Sequence, residues 1–345
     1  MKVLIAGGAG FIGSYLCEHY CGKGAEVICL DNLITGSKEN IVSLSGRKNF
    51  TFLKTDISRT IPDLPKGINL IFNLASPASP VDYYRYPLET LRVGSVGTEN
   101  LLELARKESA SFVLASTSEV YGDPAVHPQK EDYWGNVNPN GPRSVYDESK
   151  RYAEAITAAY RRKYGIKTAT SRIFNTYGPR LRPADGRVVS NFISQALAGT
   201  PVTVYGNGSQ TRSLCYVFDL VAGLVRLSEK ASTADNVVVN LGNSHEITIL
   251  ELSKMIISLC RSQSEIIFQP LPDDDPARRC PDISRAKAVL DWEPAVPLEE
   301  GLKKTIDWFQ RKGRGAIYGA RGPRRVESTQ RGRSDESDPY NNFRG

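Results

Sequence analysis

Lys2-Val3-Leu4-Ile5-Ala6-Gly7-Gly8-Ala9-Gly10-Phe11-Ile12-Gly13 follows directly on Met1. Val3–Ala6 is a continuous apolar run, the pattern of a parallel strand covered on both faces. Glycines 7, 10 and 13 come next, at G-x-x-G-x-x-G spacing. Ile12, Tyr15, Leu16 and His19 then recur at the i, i+3, i+4, i+7 positions of an amphipathic helix. A strand, a glycine turn and a helix in that order let backbone amides approach a pyrophosphate at the helix N-terminus, where the dipole favours anions. Gly7, Gly10, Phe11, Ile12 and Gly13 are therefore candidate dinucleotide contacts. The basic, apolar start also imitates a secretory signal, but glycines 7, 8, 10 and 13 interrupt it and favour folded structure.

The same strand–helix alternation extends outward. Strands are expected at Lys2–Ala6, Glu26–Leu30, Phe50–Leu53, Leu70–Leu74, Phe112–Ala115 and Thr168–Arg172, with helices near 12–21, 88–106 and 147–163. This predicts an α/β fold: a doubly wound parallel, Rossmann-like sheet with a smaller C-terminal α/β lobe. Asp31 ends the second strand, 18 residues beyond Gly13. A carboxylate there accepts hydrogen bonds from an adenosine ribose and repels a 2′-phosphate, favouring NAD over NADP. An ordinary turn aspartate would occupy the same place. Asn32, Asp56, Ile57 and Leu74 complete the candidate cofactor set; for Asp56 a solvated loop position is the alternative.

Beyond Gly178-Pro179 the elements shorten. Helices are expected at 188–198, 219–228, 248–260, 284–290 and 298–310, and strands at 202–205, 237–240 and 266–268. The predicted division is an NAD-binding domain of 1–180 with a return segment 213–245, a nucleotide-sugar lobe of 181–212 and 246–312, and a disordered tail, 313–345. Of 345 residues, 40% are hydrophobic and 24% charged, an ordinary globular balance without a membrane-length apolar run. From Arg311 to Gly345 nine basic residues face four acidic ones, which accounts for +5 of the net +6. The nearly neutral body gives no basic face for nucleic acid. Six cysteines without a CxxC pair read as reduced thiols of a cytoplasmic protein. Three scattered histidines give no metal motif.

Tyr146 and Lys150 stand four residues apart in YDESK, on one face of an expected helix. A nearby ammonium stabilises a phenolate, making tyrosine a usable acid/base. The pair alone is also common on surfaces. Here it follows a dinucleotide turn and a strand ending in Ser116-Thr117-Ser118-Glu119.

With these residues the chain resembles the extended short-chain dehydrogenase/reductase family, and within it the UDP-glucuronate decarboxylases. The resemblance covers about residues 1–310. It rests on LASPASP (74–80), ASTSEVYGDP (115–124), VHPQKEDYWGNVNP (126–139), YDESKR (146–151), RIFNTYGPR (172–180), DGRVVSNFI (185–193), VYGNGSQTR (204–212) and DWEPAVPLEEGL (291–302).

The resemblance implies NAD as cofactor, UDP-glucuronate as substrate, and Thr117, Glu119, Tyr146 and Lys150 as the catalytic set. It implies that Asn175, Arg187, Asn191, Arg212 and Arg279 hold the UDP part or lie beside the sugar, and that Tyr83 and Tyr216 wall the pocket. A planar guanidinium suits a pyrophosphate; each arginine alone would equally be surface charge. It further implies a homodimer through a helix bundle drawn from 88–106 and 147–163. Glu119, two residues after Thr117, is expected to leave the strand on the same side and face the sugar beside its oxidised carbon. A structural hydrogen bond at the strand end is the alternative. Two departures stand out: Gly94 where the family often has Asn, and Cys280 where a lysine is usual. A 4-epimerase or 4,6-dehydratase of the same family remains the alternative enzyme, and a silent NAD-binding protein the alternative from another class.

Overall fold

The computed structural model describes residues 1–231, 237–271 and 278–319, with side chains described to residue 312. Six strands follow the expected runs to within two residues: β1 (Lys2–Ala6), β2 (Glu26–Asp31), β3 (Phe50–Lys54), β4 (Leu70–Asn73), β5 (Ser111–Thr117) and β6 (Thr168–Ile173). Together with the edge strand Val237–Leu241 they form a seven-stranded sheet in the order Val237–Leu241, β6, β5, β4, β1, β2, β3. All its pairings are parallel.

Burial on both faces explains the uninterrupted apolar runs. Val3, Ile5, Val27, Cys29 and Phe72 enter the core on one face, while Leu4, Ala6, Ile28, Leu30 and Ile71 enter the core on the other. Ala6 registers with Leu30 of β2 and with Asn73 of β4. The carboxyl ends of these three strands are thus level. The strand order reverses between β1 and β4, and at such a switch point an open α/β sheet offers its binding crevice.

The expected 88–106 helix forms, running without interruption through Pro87–Arg92, a π-turn at Val93–Gly97 and Thr98–Glu108. Gly94, in the π-turn, lies against the neighbouring helix. A Cβ there would lie 2.7 Å from the Ser149 Cβ and 2.8 Å from its carbonyl oxygen. The two helices pass too closely at this point for any side chain.

Met1–Gln310 form one compact unit. Its later part contains the parallel pair Val202–Tyr205 with Ile266–Gln269, and the three-stranded set Glu246–Thr248, Thr211–Ser213 and Arg278–Arg279. The last helix runs Leu298–Gly319, so the backbone of 313–319, expected in the tail, is helical. Residues 320–345, the rest of the expected disordered tail, lie outside the described residues.

Candidate active site

The glycine turn is built by close approach. Gly7 has φ 77°, and a Cβ on it would lie 2.8 Å from the Ala75 nitrogen; a Cβ on Gly13 would overlap the Gly7 carbonyl. The helix Phe11–Gly22 therefore starts directly against the turn. Gly10, its N-cap, brings no side-chain acceptor, which leaves the first-turn amides of Phe11, Ile12 and Gly13 for an anion.

A cleft above the switch point is lined by Gly7, Gly10, Asp31, Asn32, Asp56, Ile57 and Leu74. Asp31 is buried and accepts hydrogen bonds from Ala9 N at 3.0 Å and Leu33 N at 2.8 Å. Burial raises its pKa, and these two amides oppose the rise. The carboxylate thus pins the glycine turn while keeping lone pairs for a ribose. Asp56 accepts from Ser58 N at 3.0 Å and Ser58 Oγ at 2.7 Å, a local turn, while still facing the cleft. The donor set, the side-chain-free cradle and the carboxylate together fit a dinucleotide. Sequence reasoning passed over Ser76, Pro77 and Glu89 of the same cleft. Pro87–Arg92 brings Glu89 there from beyond the fourth strand, and no local motif marks it.

At the ends of β5 and β6 lies a second group. Tyr146 is 6% and Lys150 5% exposed, both on the helix Ser144–Tyr164. Lys150 Nζ donates to the Ala115 carbonyl at 2.9 Å and sits 5.9 Å from the Tyr146 ring centre. Tyr146 shares a hydrogen bond with the Thr117 hydroxyl; burial, opposed by that bond, pushes the phenol up to about 12. Burial also lowers Lys150 to about 8, with Glu154 opposing. The expectation that the ammonium alone draws the phenol toward neutrality is thus not met in the protein by itself. Desolvation outweighs the Thr117 hydrogen bond and the Arg187 charge, the two influences that lower it. Tyr83 stacks on Tyr146 with ring centres 5.3 Å apart and planes at 8°.

Glu119 departs from its expected geometry. Thr117 ends the strand, and its hydroxyl accepts from Glu119 N at 3.3 Å, capping a 3-10 turn at Ser118–Tyr121. Glu119 therefore projects from a turn, and the alternation of a strand does not aim it. Its carboxylate is gripped by Arg143 Nη2 at 2.7 Å and by Arg279 Nη1. Burial favours the neutral acid, but the two guanidinium charges outweigh it and hold the pKa at about 2. Arg279 is 4% exposed and turned to Glu119. Its guanidinium is thus engaged within the protein.

The remaining expected contacts are dispersed. Arg187 forms a two-pronged pair with Asp185, and its charge is felt by Tyr146. Asn191 donates to the Gly186 carbonyl at 3.0 Å. Arg182 pairs with Asp82, tying the 181–191 segment to the helix Pro80–Arg85 that carries Tyr83. Arg212 registers beside Arg279, and Asn175 follows β6 with its carbonyl accepting from Cys215 N at 2.8 Å. Tyr216 packs on Tyr177 and Phe218, at ring separations of 5.6 and 5.5 Å. Tyr177 is buried and Phe218 is 52% exposed, so Tyr216 lies between the core and the surface.

Arg143 and Asp147 were not anticipated. They frame Tyr146 at i−3 and i+1, and an arginine preceding the first turn of a helix is electrostatically out of place there. That misplaced charge was the available signal; Glu119 is its compensation.

The family model for GDP-mannose 4,6 dehydratase matches residues 4–305. The chain belongs to this family of extended short-chain dehydrogenase/reductases. It is 52% identical over 311 residues to UDP-glucuronic acid decarboxylase 1 of Danio rerio, covering 90% of this chain and 73% of that one. It is 50% identical over 303 residues to UDP-glucuronic acid decarboxylase 3 of Arabidopsis thaliana, covering 88% and 87%. Among solved structures it resembles the UDP-glucose 4-epimerase of Thermotoga maritima with UDP-glucose (30% identity, TM-score 0.81, 90% and 99% covered). It also resembles the UDP-glucuronic acid 4-epimerase of Bacillus cereus with UDP-glucuronic acid and NAD (27%, 0.80, 90% and 100%).

Proposed function

We propose that the chain is an NAD-dependent UDP-glucuronate decarboxylase that forms UDP-xylose and CO2. Gly7, Gly10, Phe11, Ile12, Gly13 and Asp31 hold the dinucleotide, with Asn32, Asp56, Ile57 and Leu74 along the cleft. The chemistry a bound NAD would supply there is reversible hydride transfer at the sugar C4, with no net consumption of the cofactor. Tyr146 takes the proton from the 4-hydroxyl, and Thr117 steadies the oxygen as charge develops. Lys150, fixed by the Ala115 carbonyl, supplies a fixed positive charge beside the phenol. The 4-ketone lies β to the C6 carboxylate, so cleavage of C5–C6 leaves its electron pair in an enolate as CO2 departs. A proton then enters at C5, and Tyr146 returns its proton to O4. Tyr83 covers the pocket, and Arg187, Asn191, Asn175 and Arg212 serve the UDP part.

The observation that carries decarboxylation is Glu119, ionised between Arg143 and Arg279 within reach of the Thr117–Tyr146 pair. An epimerase requires no such buried charge beside the ring. The relatives at about half identity, which bear the decarboxylase name, support the same reading. Product analysis after incubation with UDP-glucuronate and NAD+ tests it. UDP-xylose supports the proposal, and UDP-galacturonate replaces it with the 4-epimerase reading.

The proposal includes a homodimer and a cytoplasmic location. Leu88 (59%), Val96 (44%) and Tyr152 (46%) are exposed apolar residues on the Pro87–Glu108 segment and the Tyr146 helix, which suits a helix-bundle interface. All six cysteines are unpaired, five of them buried, which suits a reducing compartment. No helix among the described residues is long and apolar enough to cross a membrane.

A further inference from the structure

Four charged side chains, Glu119, Arg143, Arg279 and Asp147, meet in a largely buried cluster. Arg143 and Arg279 both bind Glu119, and Asp147, 5% exposed, completes the group from the first turn of the Tyr146 helix. Three atoms of this neighbourhood are buried without a hydrogen-bond partner: Asp147 Oδ1, Arg279 Nε and the Tyr83 hydroxyl. A buried carboxylate oxygen with no donor is costly when charged and cheap when the acid is neutral.

We infer that Asp147 is the residue that adapts this site to a carboxylated sugar, by holding a proton when the substrate's carboxylate is present and releasing it when the site is empty. The inference rests on the proposed UDP-glucuronate reading, in which the C6 carboxylate lies near the atoms Tyr146 and Thr117 address. With Asp147 ionised, two anions balance two guanidinium groups, and a third carboxylate has no counter-charge. With Asp147 neutral, the group carries one surplus positive charge, matched by the substrate's single carboxylate. Binding therefore takes up one proton from solvent.

The surroundings place this change near neutral pH. Burial raises the Asp147 pKa and the Glu119 charge raises it further, while Arg143 and Arg279 lower it and Glu148 adds a smaller rise, leaving it at about 7. Tyr83 and Tyr146 are the other ionisable neighbours, and burial raises both, so they stay neutral in this range.

The test measures Kd by calorimetry from pH 6 to pH 8 for UDP-glucuronate and for UDP-glucose, which has the same diphosphate and no carboxylate. For the wild type, Kd for UDP-glucuronate rises roughly tenfold over this range, the limit for uptake of one proton above the pKa. Kd for UDP-glucose stays level. In Asp147→Asn, a neutral mimic of similar shape, UDP-glucuronate binds tightly at both ends and the slope disappears. Unchanged UDP-glucose binding by the variant shows that its site is folded. A level wild-type Kd for UDP-glucuronate, or a slope retained in Asp147→Asn, overturns the inference. Failure of the wild type to make UDP-xylose instead overturns the activity on which it rests, and is read separately.

Discussion

Tyr146 stacks on Tyr83, is hydrogen-bonded to Thr117, and has a phenol raised by burial to about 12. Such a group works as a base only when positive charge is close, the part proposed for Lys150. Tyr146→Phe should lower turnover by about 10²–10⁴-fold while the Kd for UDP-glucose stays within a few-fold, as calorimetry would register. Near-normal turnover would reduce Tyr146 to a packing residue. Glu119 is the other decisive side chain. Glu119→Gln keeps the shape and removes the charge between Arg143 and Arg279. Single-turnover CO2 release should slow by about 100-fold, the scale of one lost electrostatic contact in an active site, with no weakening of UDP-glucuronate binding, since the variant leaves a positive charge for the substrate's carboxylate. Unaltered release would assign Glu119 to the structural alternative. The Tyr146–Lys150 spacing was readable in YDESK because helix geometry alone pairs those positions. The Glu119–Arg279 contact was not, since 160 residues separate the partners and only the fold brings them together.

The helices and strands around these residues follow from local pattern wherever burial is uniform. Continuous apolar runs marked β1, β2, β4 and β5, and the 3.6-residue period marked Phe11–Gly22 and Ser144–Tyr164. The pattern also marked the helix over 88–106 but not the π-turn at Val93–Gly97 inside it, where Gly94 meets Ser149 of the neighbouring helix. The two-residue strands Thr176–Tyr177 and Arg278–Arg279 are too short to carry a period at all. The close approach at Gly94 makes a prediction. Gly94→Ala should destabilise by about 1–3 kcal/mol, the cost of overpacking, and lower the Tm by several degrees. Adding Ser149→Gly, which removes one of the two clashing groups, should recover part of the loss. An unshifted Tm in Gly94→Ala would show that the helices separate without cost.

Met1–Gln310 joins two neighbourhoods through one sheet: the proposed dinucleotide cleft at the β1/β4 switch and the proposed sugar site at the ends of β5 and β6. Both involve the pair of helices whose outer faces expose Leu88, Val96 and Tyr152. If those faces meet in a homodimer, light scattering should give twice the 38.0 kDa chain mass. Leu88→Glu combined with Val96→Glu should return it to one. A monomeric wild type at micromolar concentration would remove the dimer from the account. The central claim, that this site oxidises C4 in order to release C6, is tested most directly by following UDP-glucuronate labelled with ¹³C at C6 in D2O with NAD+. The account predicts labelled CO2 and UDP-xylose in equal amounts, one deuterium at C5 of the xylose, and no build-up of NADH. Retention of the label in a UDP-hexuronate product, with no labelled CO2, would contradict it.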